Sequence, residues 1–414
     1  MTTNERATSS RRSMFARMSA TLTGAALLAA CGGEAEPTKA PAAPTAAAKA
    51  EPTKAPAAAP TTAAASAPTT AAAASGAVAI TGPFEGEAKT LTGAGATFPA
   101  ALYSKYFNEY NKLTKVEVNY QSIGSGGGIK AISDQTADFG ATDSPMTDAQ
   151  LKEAKGGEIL HIPMALGAVV ATYNIPGLET ARLKFTGETL AAIFLGTITK
   201  WNDPKIAADN AGVKLPAEDI VSVHRSDGSG TSFVFTDYLS AVSPEWKTKV
   251  GASTTVNWPG GVGGKGNEGV AGEVKQTPFS IGYVELIYAV QNKLGVGLVK
   301  NKAGQFVEPA LAGVTGAAAA AAGKVAPDLR VSIVDQDGPT TYPISSFTWL
   351  LAYKQMTDAA KATALTRLLW WGTHEAQKFN GDLGYAPLPP EIVTKGEAMI
   401  KSITGAGKPA FPGK

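Results

Sequence analysis

Short apolar runs rich in β-branched residues alternate with stretches of helical periodicity from about residue 89 to the C-terminus. This alternation is typical of an α/β fold. The region holds about 325 residues, which suits two domains at the usual ~150 residues each. Strands are predicted at residues 116–123, 168–174, 219–223, 281–284, 330–334 and 347–353.

Two helices are predicted from apolar residues that recur at helical spacing. Tyr103, Tyr106, Phe107 and Tyr110 follow the i, i+3, i+4, i+7 pattern of one buried helix face. We interpret these aromatic residues as core and not as ligand-stacking groups. A second helix is predicted over residues 358–379, with its inward face formed by Leu365, Leu368, Leu369 and Trp370.

The pattern at the N-terminus is that of an export signal over residues 1–30. Arginines precede an apolar stretch at residues 18–30, which is shorter than the ~20 residues that a transmembrane helix needs. The stretch ends in Leu28-Ala29-Ala30 and is followed by Cys31, the only cysteine. This resembles a bacterial lipobox, so we expect cleavage before Cys31 and a diacylglycerol on its thiol. An ordinary secretory signal with a chance cysteine is the alternative.

Residues 35–77 consist mainly of Ala, Pro and Thr and contain no aromatic residue and no Val, Ile, Leu or Met. The motif at residues 36–41 recurs at residues 51–56. Such a segment cannot bury enough apolar surface to offset its chain entropy, and its prolines prevent a continuous helix. We therefore predict a disordered tether, assigned to residues 31–86 with the lipidated cysteine at its start.

Charge and composition exclude several classes of function. Lys+Arg 37 against Asp+Glu 35 gives a net charge of +2, and without the four arginines and one glutamate of residues 1–30 it becomes −1. A protein that binds nucleic acid through its overall field would carry a strong basic excess. One cysteine excludes an internal disulfide and a Cys-rich zinc site, and three scattered histidines do not indicate a metal centre.

Glycine-rich turns stand beside predicted helices at residues 92–99, 124–128 and 227–231. Each combines a Ser or Thr hydroxyl with the free backbone N–H groups of a helix N-terminus, an arrangement that favours an anion. In the first turn, Thr97 is predicted to be the N-cap and Pro99 to lie in the first helical turn. Three such turns point to an oxyanion site.

Charged residues near these turns could complete such a site. Arg225 ends a predicted strand beside the third turn and can present a bidentate guanidinium group, which Asp227 could orient. Asp143 follows another short apolar segment. A carboxylate inside an anion site is costly unless the ligand brings a proton for it to accept, as protonated phosphate does and sulfate does not.

Taken together, the motifs resemble those of the substrate-binding lipoproteins of phosphate ABC transporters, the PstS family. The combination of Thr-Gly-Ala-Gly-Ala-Thr-Phe-Pro with Arg-x-Asp-Gly-Ser-Gly-Thr is highly specific, and the likeness extends over residues 89–389. The motif segments that carry it lie at residues 92–99, 124–128, 138–143, 225–233, 258–269 and 281–283.

The resemblance implies a two-lobed periplasmic-binding-protein fold of type II with phosphate between the lobes. Lobe 1 would comprise residues 87–168 plus 343–410 and lobe 2 residues 169–342, with a two-strand hinge between them. Asp143 would accept the phosphate proton and Asp227 would orient Arg225. The other phosphate ligands implied by the resemblance are Thr97, Phe98, Ser125, Arg225, Ser229, Gly230 and Thr231.

The resemblance also implies the partners. We expect a monomer, lipid-anchored outside the cytoplasmic membrane, that binds inorganic phosphate and delivers it to the transmembrane subunits and ATPase of an ABC permease. Neither a cofactor, nor nucleic acid, nor enzymatic activity is expected.

Two other hypotheses compete with the interpretation as a binding protein. Gly126, Gly128 and Ala131 fit the relaxed dinucleotide fingerprint, but no clear acidic strand end follows about 20 residues later. A secreted phosphate-ester hydrolase would use Ser125 or Ser229 as nucleophile. It would need a base or metals, which no His cluster or carboxylate array provides.

Overall fold

The computed structural model describes residues 78–413. The predicted signal peptide, Cys31 and residues 31–77 of the predicted tether lie outside the described residues. Within the described range, no helix is both long and apolar enough to cross a membrane.

A nine-stranded mixed sheet forms the centre of the fold, in the order β2-β1-β3-β12-β4-β8-β6-β7, with β9 also paired to β4. Neighbouring strands β2, β1 and β3 are parallel, as are β8, β6 and β7, whereas β12 and β4 run antiparallel to their neighbours. The strands are β1 Thr90–Gly95, β2 Glu117–Ser122, β3 Phe139–Thr142, β4 Ile159–Asn174, β5 Lys184–Phe185, β6 Val221–Arg225, β7 Val262–Gly264, β8 Ser280–Glu285, β9 Gly295–Val296, β10 Leu298–Lys300, β11 Phe306–Val307, β12 Ser345–Tyr353, β13 Gln355–Met356, β14 Thr404–Gly405 and β15 Lys408–Pro409.

Helices pack against strands at both edges of this sheet and between them. Short 3₁₀ helices lie at Ala322–Lys324, Glu375–Phe379 and Gly381–Leu383. The α-helices are α1 Ala100–Thr114, α2 Ser125–Ser133, α3 Asp148–Glu153, α4 Gly187–Phe194, α5 Pro204–Asp209, α6 Gly230–Val242, α7 Pro244–Lys249, α8 Gly266–Gln276, α9 Leu286–Asn292, α10 Leu311–Ala321, α11 Ala359–Thr373 and α12 Pro390–Ser402.

Strand β4 changes its main partner along its length. Its residues up to Ala168 pair with β12, and those from Val169 onward pair with β8. We call β2, β1, β3, β12 and residues 159–168 of β4 the first half of the sheet, and residues 169–174, β8, β6 and β7 the second half. All but the last residue of β4 are buried, as expected for an apolar strand covered on both faces. A bulge at Met164, next to Pro163, interrupts the regular pairing of β4 with β12 where proline has no N–H to donate.

The predicted α/β class and the two helical faces are confirmed. Tyr103, Tyr106, Phe107 and Tyr110 are buried on α1, and the four inward residues predicted for α11 are buried as well. The second helix ends at Thr373, where the prediction had extended it to residue 379, because the chain leaves the helical conformation at His374.

The strand predicted at residues 330–334 is wrong. This segment joins no sheet, because its polar side chains bind elsewhere: Arg330 donates to Met146 O and Asp148, and Ser332 donates to Asp237. The opposite error affects β4, which begins at Ile159 and not at residue 168.

Residues 78–88 form a strap along α11. Trp370 Nε1 donates to Val78 O over 2.6 Å, Arg367 donates to Gly82 O over 2.7 Å, and Arg367 also forms a buried ion pair with Glu87. The prediction that the tether extends to residue 86 is therefore wrong for residues 78–86, which contact α11. Ile80 is also buried against the core.

Candidate functional site

The predicted binding residues converge where strands of both halves of the sheet end. The carboxyl ends of β1 and β3 in the first half and of β6 in the second half lead into residues 96–99, Asp143 and the turn after Arg225, as is usual for ligand sites in α/β proteins. The turns from the two halves touch: Gly126 N donates to Gly228 O over 2.9 Å. A Cβ on Gly230 would lie 2.4 Å from Ser125 Oγ, so only glycine permits this approach.

Every predicted phosphate ligand is buried in this cluster. Exposure does not exceed 3% for any of their side chains, which closes the site to solvent; they are Thr97, Phe98, Ser125, Asp143, Arg225, Ser229 and Thr231, and Gly230 is buried among them. Asp227 is half-buried at the edge.

The three turns differ in how their hydroxyls are used. Ser229 is the N-cap of α6 and accepts from Ser232 N over 3.0 Å, whereas Ser125 is the first residue of α2. The prediction that Thr97 caps α1 is wrong: Pro99 holds the N-cap position and no side chain caps the helix. The Thr97 hydroxyl instead accepts hydrogen bonds from Asn267.

Arg225 is held in place by Asp227. Its Nε donates to Asp227 Oδ1 over 2.8 Å and its NH2 donates to Oδ2 over 2.6 Å. Burial alone would raise the pKa of Asp227, but the hydrogen bonds and charge of Arg225 outweigh it and lower that pKa. Since a guanidinium has five N–H groups, N–H groups on NH1 and NH2 remain for a ligand.

Asp143 is a buried carboxylate next to this cation. Burial raises its pKa to about 7, against the lowering effect of Thr348, Arg225 and Ser125. Its Oδ2 accepts from Ser125 Oγ over 3.3 Å, while its Oδ1 has no hydrogen-bond partner among the described residues. A buried carboxylate oxygen with nothing to accept from is costly, which points to a ligand that brings a proton.

The groups that Ser229 would need to act as a hydrolase nucleophile are not brought together. Asp227 is committed to Arg225, the Ser229 hydroxyl accepts from Ser232 N, and His224 stacks on Trp258 at 4.9 Å between ring centroids. Among residues 78–413, no group of three or more His, Cys, Asp or Glu side chains could hold a metal ion. Ser229 therefore has neither Asp227 nor His224 available as a base, and its surroundings suit anion binding.

Sequence reasoning missed Asn267, which is fully buried and contacts two predicted ligands, Thr97 and Thr231. It lies inside the motif segment at residues 258–269, but nothing in the spacing of that segment indicates a partner. Thr348, which faces Asp143 from β12, was also missed, because only the strand pairing reveals it.

Comparisons with known proteins identify the family of this chain. The profile of the PBP superfamily domain matches residues 55–366. The phosphate-binding protein PstS of Xylella fastidiosa is 47% identical over 312 residues, covering 75% of this chain and 85% of that protein. PstS of Pasteurella multocida is 44% identical over 316 residues, covering 76% and 91%.

Solved structures share the fold. A phosphate-binding protein from Stenotrophomonas maltophilia superposes with a TM-score of 0.61 at 18% identity, covering 79% of this chain and 99% of that one. The periplasmic phosphate-binding protein PfluDING, solved with bound phosphate, gives a TM-score of 0.59 at 22% identity, covering 76% and 99%. The two-lobed α/β fold expected from the sequence is thus confirmed, and the chain belongs to the PstS family of phosphate-binding proteins within the PBP superfamily.

Proposed function

We propose that this protein binds inorganic phosphate between the two halves of its sheet and delivers it to an ABC permease for import. The observation that carries the proposal is the placement of Asp143, a buried carboxylate with an unpartnered oxygen, beside the buried and braced Arg225. Arg225 and the surrounding hydroxyl and backbone donors attract an oxyanion. Asp143 repels any anion that brings no proton, so the pair selects protonated phosphate over sulfate.

The phosphate ligands in this proposal are the predicted ones: Thr97 and Phe98 from the first turn, Ser125 from the second, and Ser229, Gly230 and Thr231 from the third. Hydrogen bonds to charged groups contribute about 1.5–3 kcal/mol each. Micromolar binding needs only about 8 kcal/mol in all, so the remainder is available for desolvating phosphate and closing the site.

For the lobes, we propose residues 87–168 plus 343–410 and residues 169–342, joined by two crossings of the chain. The change of partner in β4 after Ala168 supports the first crossing. The second crossing runs beside it, since Val169 N donates to Ile344 O over 2.9 Å and Tyr342 Oη donates to Val169 O over 3.0 Å. Two adjacent hinge strands permit the lobes to rotate about one axis.

Titration of the purified protein with phosphate and with sulfate tests this function. We expect one calorimetric phosphate site of micromolar affinity or tighter, and sulfate binding at least about 100-fold weaker, since an unprotonated anion faces a buried carboxylate. Small-angle scattering at saturating phosphate should show a more compact particle. Equal affinity for the two anions, an unchanged scattering profile or steady hydrolysis of a phosphate monoester would contradict the proposal.

We further propose that Cys31 carries a lipid that anchors the protein on the outer side of the cytoplasmic membrane. Support comes from Leu28-Ala29-Ala30 before Cys31, which resembles a lipobox. We also propose that the protein acts as a monomer, because one chain supplies all of the proposed phosphate ligands.

Replacement of the lipidated residue gives a direct test of anchoring. The Cys31→Ser variant is expected to leave the membrane fraction, because removal of the thiol removes the site of acylation. Fractionation followed by immunodetection measures this, with Ser66→Ala in the predicted tether as the matched control. Retention of Cys31→Ser in membranes would show that another element anchors the chain.

A further inference from the structure

Asn267 joins the two halves of the sheet at the binding site. It lies in the first turn of α8, which packs on β6, β7 and β8 of the second half, and it is fully buried. Its Nδ2 donates to Thr97 Oγ1 over 2.8 Å and to Thr231 Oγ1 over 3.0 Å. Thr97 follows β1 in the first half, whereas Thr231 follows β6 in the second.

The orientation of the Asn267 amide is determined by its surroundings. Its Oδ1 accepts from the backbone N of Glu285 over 2.8 Å. A backbone N–H can only donate, so the amide oxygen must face Glu285 and the NH₂ group must face the two threonines. Both protons of that NH₂ are thereby committed to the Thr97 and Thr231 hydroxyls.

Both threonine hydroxyls have their acceptor capacity filled. Thr97 Oγ1 accepts from Asn267 Nδ2 and from Asn267 N at 3.2 Å, and Thr231 Oγ1 accepts from Asn267 Nδ2 and from Arg225 NH1 at 3.4 Å. A hydroxyl has one donor and two acceptor positions. Within residues 78–413, neither hydroxyl donates its proton to a protein acceptor, so each has a proton left for an oxygen atom of a ligand.

We propose that Asn267 is a positioning residue that makes the Thr97 and Thr231 hydroxyls donors to the bound anion and couples the two halves of the sheet around it. This inference rests on the proposed phosphate binding and adds a specificity element to it. A freely rotating hydroxyl can present either a proton or a lone pair to a ligand. Asn267 removes that choice at two positions at once, so the site favours an oxyanion over a ligand that donates hydrogen bonds.

Calorimetric phosphate titration of the full chain tests the proposal through a mutant cycle. We expect Asn267→Ala to weaken phosphate binding about 10- to 100-fold, the range for one or two charge-assisted hydrogen bonds. In a Thr97→Val, Thr231→Val background the same substitution should have little further effect, because Asn267 acts through those hydroxyls. If Asn267→Ala weakened phosphate binding by the same factor in that background as in wild type, the proposal would be overturned. Asn210→Ala, which removes another buried amide with three hydrogen bonds, should lower the melting temperature without changing phosphate affinity.

A pH profile provides a second readout that a purely structural role would not affect. Asn267→Asp replaces the NH₂ donor by a carboxylate that accepts the hydroxyl protons, so its affinity should fall furthest below wild type at pH 8. The deficit should shrink toward pH 5 as that carboxyl is protonated. The surrounding charged and titratable groups, Arg225, Asp143, Glu268, Glu285, Tyr288 and Tyr385, are present in both proteins. A pH dependence of the wild-type-to-variant affinity ratio therefore arises from the new carboxyl and its interactions with these groups.

The outcomes are separable. A wild-type protein that does not bind phosphate refutes the proposed function and this inference with it. Wild-type binding together with wild-type affinity in Asn267→Ala refutes only the role of Asn267. Where Asn267→Ala does not fold, the Asn267→Asp profile decides, and a deficit independent of pH counts against the proposal.

Discussion

Arg225→Ala should weaken phosphate binding by roughly 30- to 4,000-fold, the largest effect of any single substitution in the site. Arg225 supplies the only full positive charge within the buried cluster of predicted ligands, and its loss leaves the Asp227 carboxylate without its ion-pair partner. Truncation of one member of a buried charge pair typically costs about 2–5 kcal/mol or more in binding. Calorimetry on the variant and wild type gives the ratio directly.

Two further variants identify the source of that loss. The double variant Arg225→Ala, Asp227→Ala also removes the Asp227 carboxylate that Arg225→Ala leaves unpaired. It should bind phosphate more tightly than Arg225→Ala does, because that carboxylate no longer repels the anion. Arg330→Ala is the matched control: Arg330 also forms ion pairs with two carboxylates, Asp148 and Asp328, but it lies outside the site. Phosphate affinity in Arg225→Ala within fivefold of wild type would contradict the assignment.

Asp143→Asn should abolish the discrimination against sulfate and weaken phosphate binding less than Arg225→Ala does. The asparagine keeps the shape of the carboxyl but carries no charge to repel an unprotonated anion, and its amide can donate to one. Phosphate loses only its acceptor, about a 10-fold effect. Competition of sulfate with phosphate measures the change, and unchanged selectivity would refute the role of Asp143 as acceptor. Arsenate, which has the same protonation pattern as phosphate, should compete in both proteins.

The same substitution should stabilise the ligand-free fold at alkaline pH. Burial raises the pKa of Asp143 to about 7, whereas an unfolded aspartate titrates near 3.9. Between about pH 4 and about pH 7 the folded state binds more protons at this position than the unfolded state does. The free energy of unfolding therefore falls as the pH rises from about 4 to about 7, and it stays lower above pH 7. Asp143→Asn removes a cost on the order of 2–4 kcal/mol, so its melting temperature should exceed that of wild type at pH 8 and match it near pH 4.

Asp237→Asn provides the control for that gain. Burial also raises the pKa of Asp237, which accepts from Ser332 and lies outside the predicted ligand set. Its replacement is expected to affect stability without admitting sulfate. A gain in stability for Asp143→Asn that is independent of pH would show that the buried charge is not its cause.

The sequence predicts which residues gather at the candidate site better than it predicts the hydrogen bonds between them. Ser125, Ser229 and Arg225 are recognisable because each stands in a glycine-rich turn whose local geometry follows from a few neighbouring residues. Asn267 is not recognisable, because its role depends on Thr97, 170 residues away in the chain. Thr97 itself was assigned to a cap, since its spacing from the helix allowed one and its actual donor lies on a distant helix.

The same contrast between local and long-range features applies to the helices and strands. The α1 stripe is local and was predicted, but the length of β4 depends on which strands cover it. Residues 330–334 have the composition of a strand, yet Arg330 and Ser332 bind other elements and the segment is left unpaired. Hydrophobic periodicity indicates which residues are buried. Which elements they pack against depends on the tertiary structure.

The strap of residues 78–88 has a mechanical consequence. Any pull on the chain ahead of Val78 is carried by contacts with Trp370 and Arg367 on α11, which packs on β1 in the first half of the sheet. Such a force therefore acts on the first half of the sheet and does not pass through the proposed hinge at Val169 and Ile344. If the two halves close around phosphate as proposed, the second half moves without pulling on this attachment, so tension on the predicted tether should leave phosphate affinity unchanged.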